Sequence, residues 1–388
     1  MAFPTIFVND PKYGLNALTG NDPTGPQISS SFVNLEKVTP TLMKNHNCQL
    51  LMLLAGMLIM AINATHANAQ QEGKKLLLAL SKANHTLAIV DPATLKVLGR
   101  VPVGEDPHEV VASSDGKVAY VAIYGGGALH EVNVIDLVAQ KALDNIDTRP
   151  LFGPHDVTFV QGKLWFTAEG SKAVGRYDPQ TKSLDWSMGT GQNRTHMLYV
   201  THDAKRIYTT NISSGSVSIL IDSLLQPGRN APPGAKPRSE WFQTVVGVSR
   251  GVEGFDVSPD GTHLWTAAGE DGTISVVNLM TKKLESKIDA KAFGANRLKF
   301  TLDGKLAFIS SLSTGDIFIY ETATQKQIKK LNLGKGAAGI LMDPDGSRVF
   351  IAYSADNYIA VVDLKKLELA ARLDIGGVPD GMAWSISR

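Results

Sequence analysis

The sequence is poor in the residues that define several protein classes. Its 388 residues include one cysteine, Cys48, so neither an internal disulfide nor a thiolate metal cluster can form. Lysine and arginine number 38 against 37 aspartates and glutamates, and the formal charge of +1 gives no general attraction to nucleic acid. These absences exclude a disulfide-stabilised scaffold and predict that nucleic acid is not a partner.

The chain also lacks an apolar run long enough for a membrane-spanning helix, which needs about 20 residues. Its longest run, Leu50 to Ala64, has 15 residues, follows Lys44 and precedes Ala67-Asn68-Ala69. A positive charge, a short apolar stretch and a small-residue cleavage pattern, in that order, are typical of a secretory signal peptide.

We therefore predict a signal peptide over residues 43–69 and a non-native upstream extension over residues 1–42. The mature protein is then residues 70–388, periplasmic or secreted and without a stable membrane anchor. The alternative is that residues 1–42 are a genuine N-terminal segment and that the apolar run is an internal anchor.

One sequence pattern recurs along the rest of the chain. Its copies are residues 107–122, 154–168, 195–210, 252–267, 295–310 and 337–352, with a partial copy at 379–384. In most copies, alternating apolar residues flank an Asp-Gly turn, which predicts β-hairpins. A period of about 41–47 residues that holds four strands is typical of a β-propeller blade.

Six full copies and one blade shared by the two chain ends predict an all-β, seven-bladed β-propeller with four-stranded blades. Residues 75–101 supply three strands of the shared blade, and the C-terminal residues 379–384 supply the missing first strand. This pairing closes the ring and covers the edges that an open sheet would expose. A proline-rich insertion at residues 222–240 is predicted to be a loop within the third full copy.

Two segments make the repeat recognisable: SPDGTHLWTAAGEDGTISVVNL at 258–279 and DPDGSRVFIAYSADNYIAVVDL at 343–364. They resemble the YVTN-type β-propeller repeat, and nearly all of residues 74–388 fit its pattern. The segments Val121-Ala122 and Tyr208-Thr209-Thr210-Asn211 come nearest to the family signature. The resemblance implies the propeller fold but no single function, because this family includes enzymes, binding proteins and surface-layer components.

Three histidines occupy one position of the repeat. Counting seven residues back from the turn gives His108, His155, His196, Glu253, Asn296 and Ala338, and the partial copy gives Asp380. In a repeat of this kind, chance would place about 0.15 histidines at the seven positions. The first residues of the innermost strands surround one mouth of the central channel, so we expect these side chains to converge there.

Imidazoles with one carboxylate and no thiolate suit a divalent metal ion such as Zn, Cu, Fe or Mn. We predict His108, His155, His196 and Glu253 as its ligands, with Glu253 alternatively acting as a catalytic general base. Three protein ligands would leave an open position for water or substrate. The alternative is a polar channel without metal, in which the same groups bond water and strand ends.

Four further residues are predicted to contact a small-molecule substrate at this mouth: Arg194, Arg297, Asn296 and Asp380. The two arginines would meet an anionic group, or alternatively would form ion pairs at the rim. Glu109 and Asp156 alternate to the other strand face and are not predicted as ligands.

These observations favour an exported, monomeric propeller that is a metal-dependent enzyme. Its chemistry would be of the hydrolase or lactonase, lyase or oxidase type. The alternative is a non-catalytic propeller that binds a peptide, glycan or protein partner. The sequence contains no P-loop, dinucleotide-binding glycine motif, Gly-x-Ser-x-Gly elbow or haem-attachment motif that would select one reaction.

Overall fold

The computed structural model describes residues 74–387, which form seven β-sheets arranged as the blades of a propeller. The predicted all-β, seven-bladed propeller is therefore confirmed. The predictions for residues 1–42 and 43–69 lie outside the described residues. Within residues 74–387, no helix has the length and apolarity needed to cross a membrane.

The strands are numbered in chain order and grouped by blade. Blade 1 begins with β1 (Lys75–Ser81), β2 (Thr86–Asp91) and β3 (Lys96–Pro102). Blade 2 contains β4 (Pro107–Ala112), β5 (Val118–Ile123), a 3₁₀ turn at Gly125–Gly127, β6 (Glu131–Asp136), β7 (Lys141–Ala142) and β8 (Ile146–Asp147). Blade 3 contains β9 (Pro154–Val160), β10 (Lys163–Ala168), β11 (Ala173–Asp178) and β12 (Ser183–Gly189).

Blade 4 contains β13 (Thr195–Val200), β14 (Arg206–Asn211), β15 (Ser216–Leu225) and β16 (Arg238–Gly247). Blade 5 contains β17 (Val252–Val257), β18 (His263–Ala268), β19 (Thr273–Asn278) and β20 (Lys283–Asp289). Blade 6 contains β21 (Ala295–Phe300), β22 (Leu306–Ser311), β23 (Asp316–Glu321) and β24 (Lys326–Asn332). Blade 7 contains β25 (Ala337–Met342), β26 (Arg348–Tyr353), β27 (Tyr358–Asp363) and β28 (Glu368–Leu373), and β29 (Pro379–Ile386) completes blade 1.

The Asp-Gly pairs of the repeat form the turns between the first and second strands. In blade 6, Thr301 Oγ1 and Lys305 N both donate to Asp303 Oδ1, at 2.7 and 3.1 Å. Gly304 follows with a φ of +68°, a conformation that costs little only for glycine. The Asp-Gly pair suits this turn best, which explains why it recurs along the sequence, and in blade 4 Ala204 takes the place of the glycine with a φ of +54°.

Burial across a blade follows the packing of the ring. The middle strands lie between two neighbouring blades and are buried along most of their length, as in β22 and β23. The outermost strands are largely exposed, and exposed residues alternate with half-buried ones in β3. The middle strands therefore have apolar runs, and the outer strands have mixed polar and apolar sequences.

The two ends of the described chain meet in blade 1. Strand β29 pairs antiparallel with β1, with Ala383 opposite Leu78 and Trp384 opposite Leu77. Trp384 Nε1 also donates to the Met342 carbonyl in blade 7, at 2.8 Å. The predicted closure of the ring by the C-terminal strand is confirmed, and it fastens blade 1 to blade 7.

The proline-rich insertion is shorter than predicted. Strands β15 and β16 each have ten residues, and their pairing runs on to Leu225 opposite Arg238. Only residues 226–237 form the loop, so the prediction of a loop over residues 222–240 was too wide. The four prolines of the insertion all lie within 226–237, and the residues on either side keep N–H groups that can join the ladder.

Blade 2 departs from the four-strand pattern at its outer edge. Strands β7 and β8 have two residues each, and both pair with β6. The segment between them contains Asp144-Asn145, a sequence that favours a turn over a strand.

Removal of residues 379–388 tests the closure of the ring. We expect the cooperative urea transition to be lost or its midpoint to fall sharply, because β1 loses its partner and exposes an apolar edge. A synthetic peptide of residues 377–388, added in trans, should restore the transition. The exposed outer-strand variant Leu98→Ala is the control and should change the free energy of unfolding by about 0.5 kcal/mol or less. An unchanged midpoint in the truncated protein would contradict the closure.

Candidate functional site

A residue with positive φ precedes the innermost strand of every blade and marks one mouth of the channel. These residues are Val378, Asp106, Gly153, Arg194, Gly251, Gly294 and Gly336 in blades 1 to 7, with φ between +53° and +76°. In each blade, the carbonyl of this residue accepts a hydrogen bond from the residue just after the second strand, which is Lys82, Tyr124, Glu169, Ile212, Gly269, Leu312 or Ser354. Two residue positions per blade are thereby placed at the mouth.

Asp106 and Arg194 adopt this left-handed conformation without being glycine. Each has a φ of +57°, which costs a non-glycine residue of the order of 1 kcal/mol. Glycine occupies the same position in four blades, so the fold itself does not require a side chain there. Val378 adopts the same conformation in blade 1, with a φ of +53°, so non-glycine residues at this position include an apolar one.

The three histidines of the repeat position do converge at this mouth. The ring centroids of His155 and His196 are 3.6 Å apart, and those of His108 and His155 are 4.5 Å apart. Both His155 and His196 are almost fully buried, with 1% and 2% of their surface exposed. Tyr124 packs edge-on against His108 and His155.

His196 lies between two carboxylates. Its Nδ1 is 2.6 Å from Glu169 Oε2 and its Nε2 is 3.2 Å from Glu253 Oε1. An ionised carboxylate can only accept, so both ring nitrogens must donate and the ring must carry a positive charge. Burial acts to lower the pKa of His196, but the hydrogen bonds to both carboxylates outweigh it and raise that pKa.

The two carboxylates are correspondingly held in the ionised form. Burial alone would raise the pKa of Glu253, but His196 and Arg297 outweigh it and lower that pKa to about 2. Burial likewise opposes ionisation of Glu169, and hydrogen bonds from His196, Tyr124 and Arg194 lower its pKa to about 2. The result is a buried chain of alternating charge from Glu169 through His196 to Glu253.

His155 is neutral, in contrast to His196. Burial and the nearby positive charge of His196 hold the pKa of His155 well below its usual range. Its Nδ1 is buried and has no hydrogen-bond partner within residues 74–387. A neutral imidazole therefore lies against an imidazolium, and adjacent groups with separated pKa values can divide the roles of acid and base.

Glu253 presents one engaged oxygen and one free oxygen. Its Oε1 accepts from Asn296 Nδ2 at 2.8 Å and from the Arg297 guanidinium at 3.3 Å, in addition to His196. Among residues 74–387, no donor lies within hydrogen-bond distance of Oε2, and 27% of the side chain is exposed. Asn296, which was predicted to contact a substrate, holds the carboxylate through Oε1, and Oε2 is left without a donor from the described residues.

Arg297 spans the channel. One terminal nitrogen contacts Glu253 in the neighbouring blade, and the other donates to Glu109 Oε1 in blade 2 at 2.6 Å. The side chain is 6% exposed, so the geometry favours an internal ion pair over the predicted contact with substrate. Glu109 therefore helps to build the site, although the sequence analysis did not include it among the ligands.

Asp156 lies below this ion pair and is also buried. Its oxygens accept from the backbone N–H groups of Val157 and Leu198, at 2.8 and 2.6 Å. Burial and the negative charge of Glu109 raise the pKa of Asp156 to about 7. Together with Arg297, these two carboxyl groups line a cavity of about 390 Å³ inside the channel.

A second cluster of charged side chains surrounds His108. Lys82 Nζ lies 2.7 Å from His108 Nε2, 2.8 Å from Asp106 Oδ1 and 3.7 Å from Asp380 Oδ2. Asp106 also contacts His108 Nε2 at 3.0 Å. Asp380 therefore lies at the mouth, as its repeat position predicted, and it is paired with Lys82 and His108.

Arg194 and Tyr124 meet at Glu169. Arg194 Nε and the Tyr124 hydroxyl both donate to Glu169 Oε1, at 2.9 and 2.5 Å. The Arg194 side chain remains 47% exposed, so it is the arginine of the mouth that a ligand can reach. Lys82, Tyr124 and Glu169 were not predicted from the sequence. All three lie directly after the second strand of a blade, and this shared position in the repeat could have identified them.

The residues predicted as metal ligands are engaged with one another and with neighbouring charged groups. Both nitrogens of His196 already face carboxylates, and the three imidazoles lie against one another. Within the described part of the chain, no group of three or more His, Cys, Asp or Glu side chains is placed to hold a metal ion. The donor types remain suitable for a metal, but their arrangement neutralises charge within the protein.

Comparisons with known proteins support the fold. No protein-family model matches the sequence, and no curated protein sequence matches it. Among solved structures, the chain is similar to a candidate 6-phosphogluconolactonase from Bacteroides uniformis, with 14% identity, a TM-score of 0.63 and coverage of 80% of this chain and 99% of the other. It is also similar to Kuenenia stuttgartiensis hydrazine synthase (16% identity, TM-score 0.57, coverage 72% and 89%) and to a dihydro-heme d1 dehydrogenase (16%, 0.54, 79% and 74%). At these identities the likeness shows the fold alone.

Histidine ring NMR tests the separation of charge at the mouth. We expect His196 to stay protonated at pH values above 6.5 and His155 to stay neutral at pH values well below 6.5, with signals assigned from His155→Ala and His196→Ala variants. Glu169→Gln should lower the pKa of His196, because it removes one of the two charges that raise it. Titration of both rings near 6.5 would contradict the geometry.

Proposed function

We propose that the protein is an enzyme that binds a small anionic molecule at the mouth and acts on it by general acid–base chemistry. The observation that carries this proposal is the free Oε2 of ionised Glu253, which lies beside an imidazolium and a neutral imidazole. The close grouping of ionisable side chains at this opening, with the exposed guanidinium of Arg194 among them, supports a binding site over a featureless polar channel.

Lactone hydrolysis is the reaction class that we favour. The structural neighbour from Bacteroides uniformis bears the description of a candidate lactonase, which makes this chemistry compatible with the fold. Lactones of sugar acids and related compounds often carry a second, anionic group. The exposed guanidinium of Arg194 and the ammonium of Lys82 are suited to bind that group.

In this proposal, Glu253 moves the proton. Water adds to the lactone carbonyl carbon while its proton passes to Glu253 Oε2, and the ring C–O bond then breaks as the departing alkoxide takes that proton back. His196 and Asn296 hold Oε1 throughout, so Oε2 keeps its orientation. A carboxylate with a pKa near 2 is a weak base, so its contribution should be about 100-fold, at the lower end for such groups.

Glu253→Gln tests the catalytic role. A pH-stat assay with lactones that bear a carboxylate or phosphate should show kcat reduced by about 100-fold and KM changed little, because the amide accepts no proton. Glu368→Gln, which alters an exposed glutamate on β28, should keep full activity. Full activity of the Glu253 variant, or no hydrolysis of any member of the panel by the unaltered protein, would overturn the proposal.

The divalent metal ion remains a separate proposal, supported by the convergence of three histidines with Glu253. If it is correct, protein purified without chelator contains near-stoichiometric Zn, Cu, Fe or Mn by plasma mass spectrometry. The triple variant His108→Ala/His155→Ala/His196→Ala then loses that metal. Metal-free protein, even after incubation with each ion, would contradict the metal and leave the acid–base proposal standing.

Membership of the YVTN-type family, export to the periplasm or medium, and a monomeric state complete the proposal. The family rests on the repeat sequences, export on the signal-like segment, and the monomer on a ring that closes within one chain and leaves no obligate edge. The alternative is a propeller that binds a peptide, glycan or protein without catalysis. Binding of a small anion without turnover of any lactone would favour that alternative.

A further inference from the structure

The mouth of the channel is divided into a charged half and an uncharged half. At the position after the second strand, blades 1 to 3 carry Lys82, Tyr124 and Glu169, whereas blades 4 to 6 carry Ile212, Gly269 and Leu312. The residue before the innermost strand is Val378, Asp106, Gly153 and Arg194 in blades 1 to 4, and glycine in blades 5, 6 and 7. Taken together, the two positions bring charged side chains to the mouth from blades 1 to 4 and none from blades 5 to 7.

A cavity of about 360 Å³ lies in the uncharged half and adjoins the candidate site. Glu253 and Asn296 form its border with the charged groups, and Ile212, Ala295 and Leu312 supply apolar walls. The exposed Glu270 and Ser313 also line it. Its volume is within the range of pockets that hold small molecules. Glu253 thus borders both this cavity and the charged groups.

The floor of this cavity has few free hydrogen-bond donors to offer. Its backbone N–H groups already donate to carbonyl oxygens of neighbouring loops. The four bonds, at 2.8–3.1 Å, run from Gly251 N to Ile212 O, Gly269 N to Gly251 O, Gly294 N to Gly269 O and Leu312 N to Gly294 O. An anion placed there would lose its hydration without compensation. A hydrocarbon group would instead displace water from apolar walls at no such cost.

We propose that this cavity, Ile212 to Leu312 across blades 4 to 6, is a subsite for the hydrocarbon part of an amphipathic substrate whose anionic end lies at Arg194. The inference rests on the proposed function and narrows its substrate class to anionic molecules with an aliphatic portion. The reacting group would then lie between the two ends, beside Glu253.

Isothermal titration calorimetry with straight-chain carboxylates from acetate to octanoate tests the subsite without relying on turnover. Affinity should rise about fourfold per methylene until the cavity is filled. Leu312→Ser should weaken octanoate binding about tenfold and leave acetate unchanged. Leu302→Ser, at a similarly exposed leucine in the turn between β21 and β22, should alter neither. Affinity that is independent of chain length, or an unchanged response in Leu312→Ser, would overturn the subsite.

Two further sets of binding measurements distinguish a failure of the subsite from a failure of the proposed function. Arg194→Gly should weaken carboxylates of every length by the same factor, and thermal unfolding of this variant checks that the fold is kept. Straight-chain alcohols should show the same dependence on length as the carboxylates, with no effect of Arg194→Gly. If alcohols show that dependence and carboxylates gain nothing from Arg194, the subsite stands and the anion site of the proposed function fails.

Discussion

The close approach of neighbouring innermost strands is the constraint on which the rest of the structure depends. A Cβ added to Gly381 would lie 2.2 Å from the His108 carbonyl oxygen, and one added to Gly339 would lie 2.3 Å from that of Asp380. Strands packed this tightly must keep the same register from blade to blade. One position of the repeat therefore brings seven side chains to one opening, whatever their chemistry.

The same packing explains the electrostatics of the mouth. Charged groups that converge and are largely buried have little water around them and must neutralise one another. His196 is charged because two carboxylates enclose it, and His155 is neutral because it is buried beside the positive charge of His196. Arg297 crosses the channel because Glu109 and Glu253 lie on opposite sides of its guanidinium. The separation of acidic and basic character follows from burial and does not require a metal.

Much of this architecture was predictable from the sequence. The turns and alternating strands predicted seven blades, and the register predicted that His108, His155 and His196 converge. The register could not predict side-chain directions, so the carboxylate bridges of His196 and the long reach of Arg297 were missed. Glu169 was missed because only one repeat position was compared. The hairpin of β15 and β16 continues beyond the predicted boundary because strand pairing persists until the first proline.

A channel mouth that is charged on one side and uncharged on the other is suited to bind a molecule in one orientation. Arg194 keeps a strained backbone on the charged side, and glycines form the floor on the other. The most direct measurement is a crystal structure of the protein with hexanoate at pH 7. The account predicts the carboxylate at Arg194, and the alkyl chain against Ala295 and Leu312 past Glu253. Hexanoate bound in the reverse orientation, or at another face of the propeller, would contradict it.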